Sequence, residues 1–228
     1  MAIPQKFRKS GDIALNIDSQ DILTNTGYLI LYASGINGRA DGTSSNEYCL
    51  TNQQIIGAPR YLARTNFSTS DPHTTYRDAF DVNFDIPLSR PLLINGKFIC
   101  NIANSASEDT ATGNGRNKII VNVYDFDGST ETLIFTDDND YNSIDASIRS
   151  NVVTISGDID NKLIPAGHTL RINVIAQLAN GADNTLVTAD IYMGTDPSNS
   201  SNGTQFPTSG HTLTQSAFYI PVKLGTIT

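Results

Sequence analysis

Apolar and polar side chains alternate along much of this sequence, and this period of two constrains the fold more than any other feature does. The longest example spans residues 169–178, in which only Ile175 interrupts the alternation. Its apolar positions are Leu170, Ile172, Val174, Ala176 and Leu178. Because successive side chains of a β-strand point to opposite sides of the sheet, this pattern predicts a strand with one buried face.

Other stretches repeat this pattern, and about ten to eleven strands are predicted in all. The continuous apolar run Tyr28–Ala33 is typical of a strand buried on both faces or of a short helix, and its Tyr and Ile content favours the strand. Residues 53–57 are a further candidate strand, and 103–117 and 195–215 are predicted to be polar loops. Residues 137–150 are ambiguous, and the stretch IDASIRS within them could form one helical turn or two. The remaining predicted strands lie within 80–86, 92–102, 119–123, 133–135, 153–155, 187–193 and 218–224.

Many short strands without an amphipathic helix pattern require two sheets packed face to face or a closed barrel. We predict an all-β chain folded as a two-sheet antiparallel β-sandwich of jelly-roll type. No shift in composition divides residues 13–228, which are therefore predicted to form a single domain. Residues 1–12 are predicted to be an extended N-terminal arm.

One sequence frame, Ile-Pro followed by a polar corner and then by Leu-x-Ile-Asn, occurs twice. It begins at Ile86 and again at Ile164. Proline ends a strand because it cannot donate a hydrogen bond to the sheet, and Gly167 in the second copy can adopt the positive φ of a tight turn. The two copies mark either equivalent corners of two Greek keys or corners that merely look alike. Gly96, which follows the first copy, permits a bulge or bend.

The charge of the chain is unevenly distributed. Acidic residues outnumber basic ones by 23 to 15, which gives a net charge of −8 and argues against general affinity for nucleic acid or anionic membranes. The arm, however, carries Lys6, Phe7, Arg8 and Lys9 close together. It is either a frayed terminus or a segment that attaches to a larger assembly. The start of the chain shows no signal-peptide pattern, so we expect a protein made in a cytosol and not secreted.

Aspartates crowd the region around residues 125–145 and offer weak calcium candidates, namely Asp125, Asp127, Asp137 and Asp140. Calcium prefers oxygen-rich loops, but the sequence around Asp127-Gly128 lacks the later ligands of an EF-hand and also fits an ordinary hairpin turn. Solvated turns are therefore favoured, and no metal site is predicted. Asp81, Asn83 and Asp85 share one strand face, which could bind a sugar or a neighbouring subunit, or could simply be solvated.

Catalytic motifs are not found in the sequence. His73, His168 and His211 stand outside HExxH patterns, GxSxG and phosphate-binding glycine loops do not occur, and Cys100 falls on the apolar face of a predicted strand. We therefore predict a protein that is not an enzyme and needs no cofactor.

The chain resembles virion structural proteins of tailed bacteriophages, of the capsid decoration, head-fibre, collar or tail accessory type. The resemblance lies in the Ile3-Pro4-Gln5-Lys6-Phe7 start, the IPAGHTLRINV stretch at 164–174 and the YIPVKL strand at 219–224. The resemblance is one of general sequence character, extends over nearly the whole chain and includes no diagnostic motif. It implies a homo-oligomer, with a trimer favoured, that binds capsid or tail proteins through its N-terminal segment.

Two functions follow from these features. The first is a virion structural protein that attaches to capsid or tail proteins through Lys6, Phe7, Arg8 and Lys9 and through the sandwich surface. The alternative is a carbohydrate-binding or receptor-binding module. Its candidates are Tyr124, Tyr141, Tyr192 and the aspartates of residues 125–145.

Overall fold

The computed structural model describes residues 26–37, 47–52, 61–69, 75–108, 115–144, 149–180, 187–194 and 215–223. These residues form eleven strands and contain no helix, which confirms the predicted all-β class. The strands are β1 (Thr26–Asn37), β2 (Glu47–Thr51), β3 (Tyr61–Thr69), β4 (Arg77–Pro87), β5 (Leu92–Glu108), β6 (Gly115–Phe126), β7 (Glu131–Ile144), β8 (Arg149–Ile164), β9 (Thr169–Asn180), β10 (Val187–Gly194) and β11 (Ala217–Lys223).

The strands form two antiparallel layers, as predicted for a β-sandwich. In the first layer, β5 pairs with β8 along one edge and with β11 and β10 along the other; β11 continues to β1, and β10 continues to β3. The second layer has the order β4-β9-β6-β7. The two layers are joined by β2, which pairs antiparallel with β1 and parallel with β4.

The core lies between the layers and is built from the inward positions of the alternating stretches. All five apolar positions of β9 that the pattern singled out have no exposed surface. Aromatic rings connect the layers: the centroid of Phe84 lies 5.9 Å from that of Phe218, and the centroid of Phe98 lies 5.0 Å from that of Phe135. Burying each side chain of this size stabilises the fold by roughly 1.5–3 kcal/mol relative to leaving it in water.

The two Ile-Pro frames form a pair of corners that lie side by side. Pro87 ends β4 and Pro165 follows β8, so each corner takes the chain from one layer to the other. The Leu88 amide donates a hydrogen bond of 2.9 Å to the His168 carbonyl, and the Gly167 amide donates one of 2.8 Å to the Leu88 carbonyl. The flanking strand pairs correspond as well, with Ile86 opposite Leu170 and Leu92 opposite Ile164. The repeat thus marks equivalent corners that bond to each other.

Two glycines adopt the backbone angles expected for them. Gly167 has a φ of 87°, as its turn requires, and Gly96 has a φ of 124° at a register shift between β5 and β8. A Cβ on Gly96 would also lie 3.3 Å from the Cβ of Pro221. The predicted bulge at Gly96 is therefore confirmed, and a residue with a side chain would be strained there.

Several strands extend further than the sequence pattern indicated. β5 continues to Glu108 through the first part of the predicted loop 103–117, and β7 with β8 replaces most of the ambiguous segment 137–150. β8 has 16 residues where only 153–155 was predicted. The cause is that ladder hydrogen bonds come from the backbone, so a strand can extend through polar side chains once a partner lies beside it.

Three further differences concern the first third of the chain. β2 and β3 were not predicted from the pattern. Tyr28–Ala33 is not buried on both faces, because Leu29, Leu31 and Ala33 are buried while the residues between them are half-buried. The candidate strand 53–57, residues 195–214 of the predicted loop 195–215 and the arm at 1–12 lie outside the described residues.

A close contact between the layers at Gly157 leads to a test of the packing. A Cβ added to Gly157 in β8 would lie 2.5 Å from the Cε2 atom of Phe135 in β7. We expect Gly157→Ala to lower the free energy of unfolding by about 1–3 kcal/mol because the core is overpacked. Urea denaturation measures the change, with Ser156→Ala as the neighbouring control. Phe135→Leu in the same chain should restore part of the loss, whereas parent-like stability of Gly157→Ala would contradict the contact.

Candidate binding face

The outer surface of the second layer carries a connected set of polar side chains, which we call the polar face. Its members on β4, β9 and β6 point away from the core because they alternate with apolar core residues, and its members on β7 lie opposite outer residues of β6. The polar face comprises Asp81, Asn83, Asp85, Lys118, Asn122, Tyr124, Phe126, Glu131, Thr136, Asp138, Arg171, Asn173 and Gln177.

A row of three side-chain amides and one hydroxyl crosses all four strands of this layer. Asn83, Asn173, Asn122 and Thr136 lie opposite one another in register. The Asn173 amide donates hydrogen bonds to Asn83 Oδ1 (2.9 Å) and Asp81 Oδ1 (2.5 Å). Asn122 Nδ2 donates to Asn173 Oδ1 (2.9 Å), and the Thr136 hydroxyl donates to Asn122 Oδ1 (2.7 Å). Each side chain of the row is therefore held in one orientation by its neighbours.

Arg171 holds two carboxylates in the row next to this one. Its Nε and Nη2 donate to the two oxygens of Asp85 at 2.8 and 2.7 Å, and its Nη1 donates to Glu131 Oε1 at 2.6 Å. The guanidinium carbon also lies 4.1 Å from the centroid of the Phe126 ring. The Arg171 side chain is only 5% exposed, against 18% for Asp85 and 41% for Glu131. The paired geometry and the aromatic contact make this a strong clamp, because both strengthen the ion pair.

The electrostatics of the polar face are dominated by carboxylates. Asp81 and Glu131 are exposed, and Lys118 forms an ion pair of 2.9 Å with Asp138. Partial burial, followed by the nearby charges of Glu131 and Asp81, raises the pKa of the Tyr124 hydroxyl. The face therefore offers a negative, hydrogen-bonding surface whose side chains are already ordered.

His168 and the aspartates near it lie beside the polar face. His168 Nδ1 lies 2.7 Å from Asp125 Oδ1, and both side chains are partly exposed. Asp127 Oδ1 accepts hydrogen bonds from the backbone of Thr130 and from the backbone and hydroxyl of Ser129, which hold the pKa of Asp127 below its usual value. This geometry confirms the predicted Asp-Gly hairpin turn between β6 and β7.

The calcium candidates are only partly described. Asp125 bonds to His168, Asp127 bonds within its own turn, Asp137 lies exposed on β7, and the side chain of Asp140 is outside the described residues. Among the described side chains, no three His, Cys, Asp or Glu groups lie together in a way that could hold a metal ion.

Several other candidate residues from the sequence lie outside the residues that the structure describes. Lys6, Phe7, Arg8, Lys9, His73 and His211 lie in undescribed segments, and for Tyr141 and Tyr192 only the backbone, in β7 and β10, is described. Cys100 is fully buried, as predicted, and burial raises the pKa of its thiol to about 12. Within the described ranges, no helix is long and apolar enough to cross a membrane.

Alternation along the sequence pointed to Asp81, Asn83 and Asp85, but it gave no indication that Arg171, Asn173 and Asn122 organise the face. A signal for part of it was present in the repeated Ile-Pro frame. If the Ile of the first copy is placed opposite the Leu of the second in an antiparallel strand pair, Asp85 lies opposite Arg171 and Asn83 lies opposite Asn173. The structure shows this pairing.

Comparison with known proteins identifies the fold and leaves the family open. No family model matches the sequence, and no curated protein matches it. An aminopeptidase from a marine sediment archaeon, Thaumarchaeota archaeon, is similar in structure with a TM-score of 0.54 and 10% identity over 88% of this chain. An α-amino acid ester hydrolase is similar with a TM-score of 0.52 and 12% identity over 85% of this chain. The chain spans 37% and 36% of the lengths of these two proteins.

This comparison contradicts the prediction that the chain is not an enzyme, because both of these similar structures are hydrolases. The prediction relied on the lack of catalytic motifs in the sequence. Catalytic side chains are brought together by the fold and need not form a motif along the chain, so a sequence without such motifs can still belong to an enzyme. At 10–12% identity the similarity shows the fold alone and assigns no catalytic residue here.

Viral capsid proteins are also among the similar structures. The VP2 subviral particle of infectious bursal disease virus matches 82% of this chain and 42% of its own, with 14% identity and a TM-score of 0.29. A score this low carries no argument about function, and nothing in the comparisons shows a bacteriophage protein.

Proposed function

We propose that this chain is a virion structural protein, of the tailed-bacteriophage type that its sequence resembles. In this proposal it attaches to capsid or tail proteins through its N-terminal arm and through the surface of its sandwich. It assembles as a homo-oligomer, with a trimer favoured.

The observation that carries the proposal is the prior ordering of the polar face. When two protein surfaces bind, each flexible side chain that becomes fixed costs about 0.5–1.5 kcal/mol of binding free energy. Asn173 and Arg171 are buried, and their hydrogen bonds hold the exposed carboxylates of Asp81 and Glu131 in place, so a partner that binds these carboxylates meets little of this loss. The carboxylates of Asp81 and Glu131 remain exposed to bind donors or cations of a partner.

The arm supplies the second part of the proposal. Lys6, Arg8 and Lys9 are concentrated in a short segment of a chain with a net charge of −8. Such a segment can bind an acidic groove of a capsid or tail protein, while Phe7 adds an apolar anchor.

Deletion of residues 2–12 tests this function. We expect the shortened chain to fold with a parent-like melting temperature, because no described strand includes these residues, and to lose attachment. Attachment is measured by sedimentation with virus particles that lack this protein. The triple variant Lys6→Ala, Arg8→Ala and Lys9→Ala is expected to bind more weakly than the parent chain. The difference in affinity should be larger at low ionic strength, because salt screens the charge contacts of the parent chain.

A matched control separates the arm from charge in general. Lys97, Lys162 and Lys223 are exposed on the sandwich, and replacing all three by alanine changes the net charge by the same amount. This control should attach like the parent chain. Undiminished attachment of the shortened chain would refute the arm as the attachment segment, and light scattering that shows only a monomer would refute the oligomer.

A further inference from the structure

The outer surface of the first layer differs in chemistry from the polar face. On β1, Leu29, Leu31 and Ala33 point into the core, so Tyr28, Ile30 and Tyr32 point outward. On β11, the buried Phe218 and Ile220 likewise leave Tyr219 outside. We call the half-buried residues Tyr28, Ile30, Tyr32, Ile99 and Tyr219 the tyrosine face.

Strand pairing places the three tyrosines in a staggered row. Tyr219 lies opposite Ile30, midway between Tyr28 and Tyr32, and Ile99 lies on its other side. Tyr28 and Tyr32 are four residues apart on one strand, which corresponds to about 13 Å, and β11 lies about 5 Å to the side. The rings therefore cover an elongated strip along β1 and β11.

The polar groups along this strip are only partly used. Within the described part of the chain, the hydroxyls of Tyr28, Tyr32 and Tyr219 form no hydrogen bond. Two residues beyond Ile99 on β5, Asn101 accepts a hydrogen bond of 2.8 Å from the Thr154 hydroxyl, which leaves its own NH2 group for a ligand. The strip thus combines apolar ring surface with hydroxyl and amide groups at its edge.

Charge and size indicate what kind of molecule suits the strip. Its nearest charged side chains on β5 and β8, Lys97 and Asp158, lie opposite each other and balance, and the exposed Lys223 stands at the end of β11, four residues from Tyr219. Over the length of the seven-residue β11, this strand and the segments of β1, β5 and β8 alongside it, spaced by about 4.8 Å, cover on the order of 500 Å². This is below the roughly 800 Å² per partner that a stable protein interface buries. A neutral, elongated ligand with both apolar faces and hydroxyl groups fits better.

We infer that the tyrosine face binds a neutral oligosaccharide. The apolar faces of successive sugar rings stack on Tyr28, Tyr219 and Tyr32, and the sugar hydroxyls exchange hydrogen bonds with the tyrosine hydroxyls and the Asn101 amide. This site lies on the opposite layer from Tyr124 and the aspartates of residues 125–145, which the sequence had suggested for a glycan.

Isothermal titration of the full chain with cellohexaose, xylohexaose and mannohexaose tests this site. We expect saturable heat with at least one of the three, and binding weakened by about tenfold or more in Tyr219→Ala and in Tyr32→Ala. Tyr219→Phe should retain part of the affinity because it keeps the ring. Leu133→Ala is the control, since it removes an exposed apolar side chain from the other outer face and should bind like the parent.

The inference fails if none of the three hexasaccharides binds, or if Tyr219→Ala binds as the parent does. It also fails if Tyr219→Ala instead converts an oligomer to a monomer in light scattering, because the face is then an interface between copies. Attachment to particles through the arm is measured separately, so either result leaves the test of the proposed function intact.

Discussion

Replacing Phe84 by alanine is expected to lower the free energy of unfolding by about 3–5 kcal/mol. Phe84 has no exposed surface, and it packs between Phe218 of the other layer, at 5.9 Å, and Tyr48 of β2, at 5.8 Å between ring centroids. Truncation removes the buried ring and leaves a cavity where the layers and the joining strand meet. Urea denaturation followed by far-ultraviolet circular dichroism measures the loss.

The control for this prediction is an apolar side chain that the fold leaves outside. Leu163 is 60% exposed, and Leu163→Ala is expected to change the stability by less than about 0.5 kcal/mol. In a double-mutant cycle, Phe84→Ala and Phe218→Ala together should cost less than the sum of the two single changes, because they share one contact. Equal effects of Phe84→Ala and Leu163→Ala would contradict the arrangement of the core.

Replacing Arg171 by methionine is expected to lower the free energy of unfolding by about 2–4 kcal/mol. The change removes the cation that holds Asp85 and Glu131, and the two carboxylates are then left close together without it. The expected loss of stability is smaller than that for breaking a fully buried ion pair, because the side chains of Asp85 and Glu131 are 18% and 41% exposed and reach water. Thermal and urea denaturation at neutral pH measure it.

Two further variants separate charge from geometry at this clamp. Arg171→Lys keeps the charge but cannot bind both oxygens of Asp85 at once, so it should lose an intermediate amount. Adding Asp85→Asn to Arg171→Met removes one of the uncompensated charges and should recover part of the stability. Lys162→Met, at an exposed cation, is the control and should be neutral. A loss in Arg171→Met no larger than that in Lys162→Met would refute the clamp.

The residues of the two outer faces could be predicted from the sequence only in part. Alternation along β4 was enough to place Asp81, Asn83 and Asp85 together on an outer surface. It could not show that Arg171 and Asn173 lie beside them, because contacts between strands depend on which strands pair and in which register. The tyrosine face was missed for the same reason: Tyr219 stands 187 residues after Tyr32 in the chain but only one strand away.

The sequence by itself determined the all-β class, the inward residues of β4, β5, β6, β9 and β11, and the corner and bulge positions at Pro87, Gly96, Pro165 and Gly167. These features depend on local geometry, namely the two-residue period of a strand and the restricted or permissive backbone of proline and glycine. Only the tertiary structure decided the strand order, the lengths of β5 and β8, and the composition of the two outer faces. Those features depend on backbone hydrogen bonds and side-chain contacts between segments far apart in the chain, which no local pattern encodes.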